Sequence, residues 1–196
     1  MTELNKSKTG SDLEIEAILQ QVKAGDIHVY TEIISCFQKP IYIYCYYLLN
    51  NKEDAEDATQ DIFIKGLENI SNFTYNTSFS GWLYKIAHHH CIDLIKKKTK
   101  GYKFWTGFKK EHTNQIHLQE SRYDNFIHEL LEKLNMDEKR ILLLRSIEEY
   151  SFEEIASIMG LKTTTVRKKY ERLRKKLMKE NKVGGEIYGH SFKTGG

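Results

Sequence analysis

The stretch that decides the fold is SFEEIASIMGLKTTTVRKKYERLRKKL, residues 151–177. It predicts two short helices joined by a tight turn. Ser151 followed three residues later by Glu154 is typical of a capping box, in which each side chain bonds the other residue's backbone N–H. Gly160 is expected to end the first helix, because glycine adopts the left-handed conformation that a helix C-terminus often requires. The threonines at 163–165 then predict the start of the second helix.

Apolar residues at helical spacing complete a helix-turn-helix pattern within this stretch. The residues expected to face the core are Ile155, Ala156, Met159, Val166, Tyr170, Leu173 and Leu177. The outer face of the second helix carries hydroxyls and positive charges, namely Thr164, Thr165, Arg167, Lys168, Arg172, Lys175 and Lys176. A helix with such a face fits the major groove of duplex DNA, and we expect DNA binding. The alternative is a solvated basic helix at the end of a helical domain.

The whole chain is predicted to be nearly all helical. It has 196 residues with a single proline, Pro40, and alternating runs of β-branched residues are scarce. This length permits one large or two small domains. The formal net charge is only +3, but acidic residues gather in the first half and lysines gather at 96–110 and 162–182. Local basic segments matter more for nucleic-acid contact than the total charge does.

Features that would indicate secretion, membrane insertion or a metal site are weak. No apolar run approaches the roughly 20 residues of a membrane span, and the N-terminus lacks the apolar core of a signal peptide. Cys36, Cys45 and Cys91 form no CxxC pair, which fits a reducing cytoplasm. The histidine run at 88–90 resembles metal ligands, but successive helical residues point about 100° apart. We therefore expect a cytoplasmic protein without a metal or cofactor.

The spacing of apolar residues divides the chain into two helical domains. We expect a disordered N-terminus at 1–11, a first domain at 12–97, a flexible basic linker at 98–124, a second domain at 125–182 and a disordered glycine-rich tail at 183–196. Within the first domain, the segment IYIYCYYLLN after Pro40 has the propensity of a strand. Its helical neighbours and the proline favour a helix that begins at this point.

An acidic helix, KEDAEDATQDIFIKGLENI, is predicted after its N-cap residue Asn51. Its buried stripe is expected at Ala55, Ala58, Ile62 and Ile70. The carboxylates expected on an exposed face are Asp54, Asp57 and Asp61. Gln60 and an exposed Phe63 are expected beside them. Two interpretations stay open: an ordinary solvated face, or a docking face for a basic partner with an apolar centre and a charged rim.

A polar loop with aromatic residues at 71–80 precedes a second basic helix, GWLYKIAHHHCIDLIKKK. Aromatic rings beside cations suit single-stranded nucleic acid, since bases stack on the rings and phosphates pair with the cations. Trp82 has two interpretations, core packing or a stacking platform. The side chains expected to face solvent or ligand are Tyr84, Lys85, His88, His89 and the lysines at 96–98.

Two stretches together resemble the extracytoplasmic-function (ECF) sigma factors of bacterial RNA polymerase. The first is DAEDATQDIFIKG (54–66) followed by FSGWLYKIAHHHCIDLIKK (79–97), and the second is MDEKRILLLRSIEEYSFEEIASIMGLKTTTVRKKYERLRKKL (136–177). Their order and separation make the resemblance more specific than either stretch alone. It implies that a sigma region 2 domain binds core polymerase and the −10 element, and that a sigma region 4 domain binds the −35 element. A cognate anti-sigma factor is a further implied partner.

The resemblance also implies roles for particular residues. Core polymerase would bind Asp54, Asp57, Gln60 and Phe63. The opened −10 strand of promoter DNA would contact Asn72, Phe73, Phe79, Trp82, Lys85, His88, His89, Lys96 and Lys97. The −35 duplex would contact Thr163, Thr164, Thr165, Arg167, Lys168 and Arg172. If His88 contacts DNA as a charged group, duplex binding should become weaker at high pH, because histidine loses its proton there.

Other classes of function explain less of the chain. A stand-alone helix-turn-helix regulator is the main alternative, but it leaves the acidic helix and the Trp82 segment without a role. A protein-binding scaffold would lack salt-dependent DNA affinity. An enzyme is not expected, because the sequence has no catalytic-triad order, glycine-rich phosphate loop, metal-ligand spacing or paired carboxylate site.

Overall fold

A computed structural model describes residues 10–75, 77–104, 130–131, 133–147 and 149–183. This part of the chain folds into α-helices and two short 3-10 turns, as the sequence predicts. The helices are α1 (Gly10–Lys23), α2 (Tyr30–Leu49), α3 (Lys52–Glu68), α4 (Phe79–Phe104), α5 (Met136–Ile147), α6 (Phe152–Met159) and α7 (Thr163–Val183). The 3-10 turns are Ile27–Val29 and Ile70–Asn72.

Helices α1 to α4 form the N-terminal domain around a stripe of large apolar side chains. Helix α2 supplies Ile33, Phe37, Ile41 and Tyr44, which recur every three or four residues and are all buried. Asn51 caps α3 as predicted, because its side chain accepts a bond from the backbone N–H of Asp54 at 2.8 Å. The predicted burial of Ala55, Ala58, Ile62 and Ile70 is confirmed, with Ile70 in the 3-10 turn that follows α3.

The expectation that a helix begins at Pro40 is wrong, because Pro40 lies inside the continuous helix α2. A proline within a helix removes one backbone hydrogen bond and is normally unfavourable. The apolar residues before and after it share one buried stripe, so burial of that stripe outweighs the lost bond.

Helix α4 is longer than the sequence predicts. It continues to Phe104, which extends it into the segment expected to be a linker from residue 98. The remaining linker positions, 105–124, and the predicted disordered segments at 1–9 and 184–196 lie outside the described residues. Residues 10 and 11 belong to α1 rather than to a disordered N-terminus.

Helices α5 to α7 form the C-terminal domain, and α6 and α7 are the predicted helix-turn-helix. The capping box is present: Ser151 Oγ accepts from the Glu154 N–H at 3.2 Å, and Glu154 Oε2 accepts from the Ser151 N–H at 2.8 Å. Gly160 ends α6 with φ of 64°, in the left-handed region. Val166 and Leu173 of α7 are fully buried against α6 and α5.

The two domains pack against each other. Helix α4 contacts α6, and α2 contacts α5. The buried apolar residues consequently form one continuous cluster that runs from Leu19 in the first domain to Leu173 in the second. The sequence pattern predicts the core of each domain but not this contact between them.

Candidate polymerase and nucleic-acid interfaces

The outer face of α3 exposes Asp57 and Gln60, as expected from the sequence. The expectation that Phe63 is exposed is wrong, since its side chain is only 5% exposed. Phe63 falls on the stripe that buries Thr59 and Gly66, three or four residues away on either side. The exposed apolar side chain on this face is Ile64, at 54% exposure, which the sequence pattern did not single out. Ile64 lies four residues after Gln60, so helical spacing would have placed it on the same exposed face.

Asp54 is engaged within its own domain. Its carboxylate forms an ion pair with Lys98 of α4, so it ties α3 to α4. Gln60 instead lines a groove of about 410 Å³ between α2 and α3, together with Tyr42 and Glu56. Burial raises the pKa of Tyr42, and the neighbouring carboxylate of Glu56 raises it further. The groove therefore offers amide, phenol and carboxylate groups beside the exposed Asp57.

An aromatic cluster lies where the loop before α4 meets that helix. The ring centroids of Phe73, Phe79 and Trp82 are separated from one another by 5.4–5.5 Å. Phe73 and Phe79 are buried, whereas Trp82 is half-buried and Asn72 is exposed. Lys23 of α1 fixes the loop by donating to the Phe73 carbonyl at 2.7 Å. Trp82 is thus the aromatic ring of this cluster that keeps an accessible surface.

Helix α4 exposes a row of cationic and polar side chains. Lys85, His89, Lys96 and Lys97 are exposed. The expectation that Tyr84 and His88 also face solvent or ligand is wrong, because they are 0% and 5% exposed. Both lie on the side of α4 that other elements cover.

Burial changes the chemistry of His88. Desolvation first, and then the neighbouring positive charge of Arg140, lower the pKa of His88 from 6.5 to about 4. His88 is therefore neutral throughout the physiological range in this structure. The hypothesis that His88 loses a DNA-contacting charge near neutral pH does not agree with this environment.

The outer face of α7 is open. Thr164, Arg167, Lys168 and Arg172 are exposed, and Thr163 and Thr165 are half-buried at the start of the helix. Arg167 is oriented by Glu153 of α6, to which its guanidinium donates at 2.8 Å. The same guanidinium lies 5.6 Å from the ring centroid of Phe152. The helix-turn-helix thus presents exposed basic side chains, of which Arg167 is held in place.

Comparison with known proteins identifies both domains. Residues 33–101 match the family model of sigma-70 region 2, and residues 127–177 match that of sigma-70 region 4. The chain is 30% identical to the ECF RNA polymerase sigma factor SigW of Bacillus subtilis, over 86% of this chain and 97% of the relative. It belongs to the ECF sigma factors. It is also 31% identical to the RNA polymerase sigma factor YlaC of Bacillus subtilis, over 73% of this chain and 86% of that protein.

A solved structure supports the fold of this ECF sigma factor. The sigma factor RpoE of Bartonella quintana, in complex with the anti-sigma factor NepR, superposes with a TM-score of 0.68 at 20% identity. The superposition covers 79% of this chain and 97% of that chain. Two sigma regions in one chain make it a sigma factor for transcription initiation, and a stand-alone regulator is not favoured.

Two further findings concern the part of this ECF sigma factor that the structure describes. Within the described residues, no group of three or more His, Cys, Asp or Glu side chains is placed to hold a metal ion. None of the helices in these ranges combines the length and apolar character that a bilayer span requires. Sigma factors act as initiation factors, and polymerase carries out the chemistry of RNA synthesis.

Proposed function

We propose that this ECF sigma factor divides promoter recognition between three surfaces. The outer face of α3 binds core polymerase, the loop before α4 together with α4 captures the opened −10 strand, and the outer face of α7 binds the −35 duplex. The observation that carries the proposal is the exposed basic face of α7. The other domain of the same chain presents a separate acidic helix, α3. The chain itself is proposed to be cytoplasmic and to catalyse no reaction.

Polymerase docking is assigned to Asp54, Asp57, Gln60 and Phe63, with Ile64 added. Asp57, Gln60 and Ile64 are the exposed members, and they provide a charged rim around an apolar centre. Phe63 and Asp54 act indirectly, since one is buried beneath the face and the other is paired with Lys98. Exposed carboxylates favour a basic partner surface and increase the association rate at low salt.

The docking surface is tested by co-purification with core polymerase in the absence of DNA. Asp57→Lys and Ile64→Asp should each weaken binding at least tenfold without changing the melting temperature. Glu14→Lys makes the same charge change on the exposed face of α1 and serves as the matched control. Equal retention of all three variants would contradict this assignment of the surface.

Capture of the −10 strand is assigned to two kinds of residue. Trp82 offers a half-exposed ring on which a flipped base can stack, and Phe73 and Phe79 support that ring from below. The polar and cationic contacts are the exposed Asn72, Lys85, His89, Lys96 and Lys97, whereas the buried and neutral His88 is given no contact in this structure. Base stacking of this kind is worth about 1–3 kcal/mol per base. Trp82→Ala should therefore reduce promoter opening, measured by permanganate reactivity of unpaired thymines, while closed-complex binding persists.

Recognition of the −35 duplex is assigned to Thr163, Thr164, Thr165, Arg167, Lys168 and Arg172. The hydroxyls at the start of α7 suit phosphate contacts, and the arginines suit guanine edges. Selection of bound sequences from a random duplex pool, followed by transcription with core polymerase, tests this assignment. A chain that supports no transcription from any selected or genomic promoter would contradict the proposal.

An anti-sigma factor is the proposed regulator. The support is the family membership and the fold likeness to a sigma factor that was solved with its anti-sigma factor. The expected partner lowers the yield of transcript when it is added to a reconstituted reaction before polymerase. A binding partner that leaves transcript yield unchanged at saturation would not be an anti-sigma factor.

A further inference from the structure

The last turn of α1 lies against the segment that leads into the loop before α4. Leu19 and Val22 of this turn are 0% and 4% exposed, so they anchor α1 in the core of the first domain. Helix α1 also contacts the 3-10 turn Ile70–Asn72, from which the loop continues. Lys23, the residue after Val22, is thereby placed beside the loop, although it lies 50 residues before Phe73 in the chain.

Lys23 makes three contacts with the loop. Its Nζ donates to the Phe73 carbonyl at 2.7 Å. The same nitrogen lies 5.5 Å from the ring centroid of Phe73 and 4.8 Å from that of Tyr75. A cation over an aromatic ring is attracted by the negative face of the ring, and a charged donor makes a stronger hydrogen bond than a neutral one. One ammonium group therefore holds the backbone and two rings at the start of the loop.

The rings that Lys23 contacts lead directly to Trp82. The centroid of Phe73 lies 5.2 Å from that of Tyr75 and 5.4 Å from that of Trp82. Phe73 is buried between its neighbours, whereas Tyr75 is exposed and Trp82 is half-buried. Residues 73–75, 77 and 78 belong to no helix, so side-chain contacts of this kind have a large share in fixing them. A displacement of Phe73 would be passed on to the ring of Trp82.

A basic residue at the end of a helix has an ordinary explanation, because a cation there interacts favourably with the helix dipole. Lys23 is the basic residue in the last turn of α1. The dipole interaction needs only a positive charge near the helix end, however, and does not account for the contacts with Phe73 and Tyr75. Lys23 also precedes residues 33–101, which match sigma-70 region 2, so its role is not part of that matched pattern.

We propose that Lys23 is a positioning residue for promoter opening. Its contacts with Phe73 and Tyr75 hold the loop, and through Phe73 the ring of Trp82, in the arrangement that receives an unpaired base. This role rests on the proposed function of the loop in capture of the −10 strand. A loop that is already ordered loses less conformational entropy when it binds a ligand. Loss of Lys23 should therefore slow strand capture without weakening the binding of core polymerase or of duplex promoter.

Three variants separate the contacts of Lys23 from its charge. Lys23→Met keeps the length of the side chain but removes the charge and the donor, and Lys23→Arg keeps a cationic donor. The matched control, Gln21→Lys/Lys23→Met, restores a cation to the last turn of α1 at an exposed position about 200° around the helix. It retains the net charge and the dipole interaction but not the contacts with the loop.

The first readout is the rate of open-complex formation at saturating core polymerase, measured by permanganate reactivity of unpaired thymines. The rate should fall about three- to tenfold in Lys23→Met and equally in the matched control. Lys23→Arg should stay close to wild type, because it still donates to the Phe73 carbonyl and stacks on Tyr75. The affinity of the closed complex should be unchanged in all three variants.

The second readout is hydrogen exchange of the free chain, followed by mass spectrometry, with no polymerase or DNA present. Peptides that contain Phe73 and Tyr75 should exchange faster in Lys23→Met and in the matched control than in wild type, while peptides from α2 keep their rates. Lys23→Arg should restore the slow exchange. A direct contact of Lys23 with a phosphate would instead leave the exchange unchanged and reduce the salt dependence of strand binding.

Three results would each overturn the inference: normal opening in Lys23→Met, rescue of opening by the added Gln21→Lys, or slow opening with unchanged hydrogen exchange. Failure of the proposed function gives a different result, because Trp82→Ala would then open the promoter normally as well. In that case the exchange measurement still decides whether Lys23 orders the loop. Slow opening in Trp82→Ala beside normal opening in Lys23→Met would remove Lys23 alone.

Discussion

Helices α4 and α7 are both basic and were both predicted to contact DNA, but they present their faces differently. The exposed residues on the outer face of α7 are Thr164, Arg167, Lys168, Arg172 and Lys175, whereas the Tyr84–His88 face of α4 is covered by the other domain. Helical periodicity identifies the face that a helix does not bury in its own domain. It does not reveal whether a second domain covers that face. The difference between the two helices therefore arises from tertiary packing rather than from their sequences.

The largest expected effect is on the free energy of unfolding, and it distinguishes the buried face of α7 from its exposed face. Leu173 is fully buried, and Leu173→Ala leaves a cavity in the core. We expect a loss of about 2–5 kcal/mol in the free energy of unfolding, measured by urea denaturation. The neighbouring exposed residue provides the control: Arg172→Ala should change stability by less than about 0.5 kcal/mol.

The same pair should behave in the opposite way toward DNA. Arg172→Ala should weaken −35 duplex binding, by about 1–3 kcal/mol if the arginine contacts a base edge. If it contacts a phosphate, binding should fall about equally for all sequences and the salt slope should decrease by about one. A variant with unchanged affinity and salt slope would remove Arg172 from the interface.

The second effect is a pH dependence specific to the covered face of α4. The pKa of His88 falls from 6.5 to about 4 on burial, so protonation of the ring destabilises the folded chain. The stabilising contribution of the neutral ring is fully present above pH 6.5 and is lost progressively as the pH falls toward 4. At pH 4.5 the loss is on the order of 2–3 kcal/mol, because a pKa that differs by one between the folded and unfolded chain corresponds to roughly 1.4 kcal/mol.

The measurement compares wild type with His88→Gln, which has no titrating ring. Thermal unfolding between pH 7.5 and 4.5 should destabilise wild type more than the variant. Partial burial raises the pKa of Asp137, but Lys169 and Arg140 lower it by more, so the pKa is lowered overall. This carboxylate is present in both proteins, so its contribution to the pH dependence cancels in the comparison. Parallel stability curves would indicate that His88 is solvated in the native protein.

The sequence was sufficient for features that depend on nearby residues. The capping box at Ser151, the turn at Gly160 and the N-cap at Asn51 are local hydrogen-bonding or backbone patterns, and the structure contains all three. The burial of Val166 and Leu173 likewise follows from helical spacing. The assignment of each domain required no knowledge of distant contacts.

The sequence was insufficient where burial depends on contacts far along the chain. Phe63 was expected to be exposed, but α3 packs its stripe of Thr59, Phe63 and Gly66 inward, against elements that include Tyr30, 33 residues earlier. His88 was expected at the surface, but Arg140, 52 residues later, covers it. A polar side chain at the edge of an apolar stripe is compatible with either location, and only the packing partner decides between them.

A third effect tests how α3 positions the covered helix α4. Gly66 lies where an added Cβ would be 2.6 Å from the Tyr30 hydroxyl and 3.4 Å from a Leu83 methyl. That hydroxyl donates to the Phe63 carbonyl at 3.0 Å, so it cannot move without loss of a buried hydrogen bond. Gly66→Ala should cost about 1–3 kcal/mol, measured by urea denaturation.

Gly81→Ala is the control for Gly66→Ala, because it also adds a methyl to a helical glycine. Its Cβ would meet only the exposed Ser78 hydroxyl, at 3.0 Å, and this hydroxyl accepts from the Gly81 N–H at 3.2 Å. Alanine is favoured over glycine in a helix by roughly 0.5–1 kcal/mol, which offsets a weakened exposed bond to Ser78, so Gly81→Ala should cost less than Gly66→Ala. Equal stability of the two variants would mean that α3 and α4 are less closely packed at Gly66 than the structure indicates.

The smallest effect concerns α6, the helix that contacts both α4 and α7. Ser151→Ala removes the hydroxyl that caps α6 and also bonds Glu154 Oε2 at 2.7 Å. Loss of such a cap costs about 1 kcal/mol, whereas Ser151→Asp keeps an acceptor and should retain most of that energy. Because α6 touches both helices, the alanine variant should weaken −35 duplex binding and also increase the diethyl pyrocarbonate reactivity of His88. Loss of duplex affinity with unchanged His88 protection would show that the two contacts of α6 are independent, and that the capped end of the helix serves only α7.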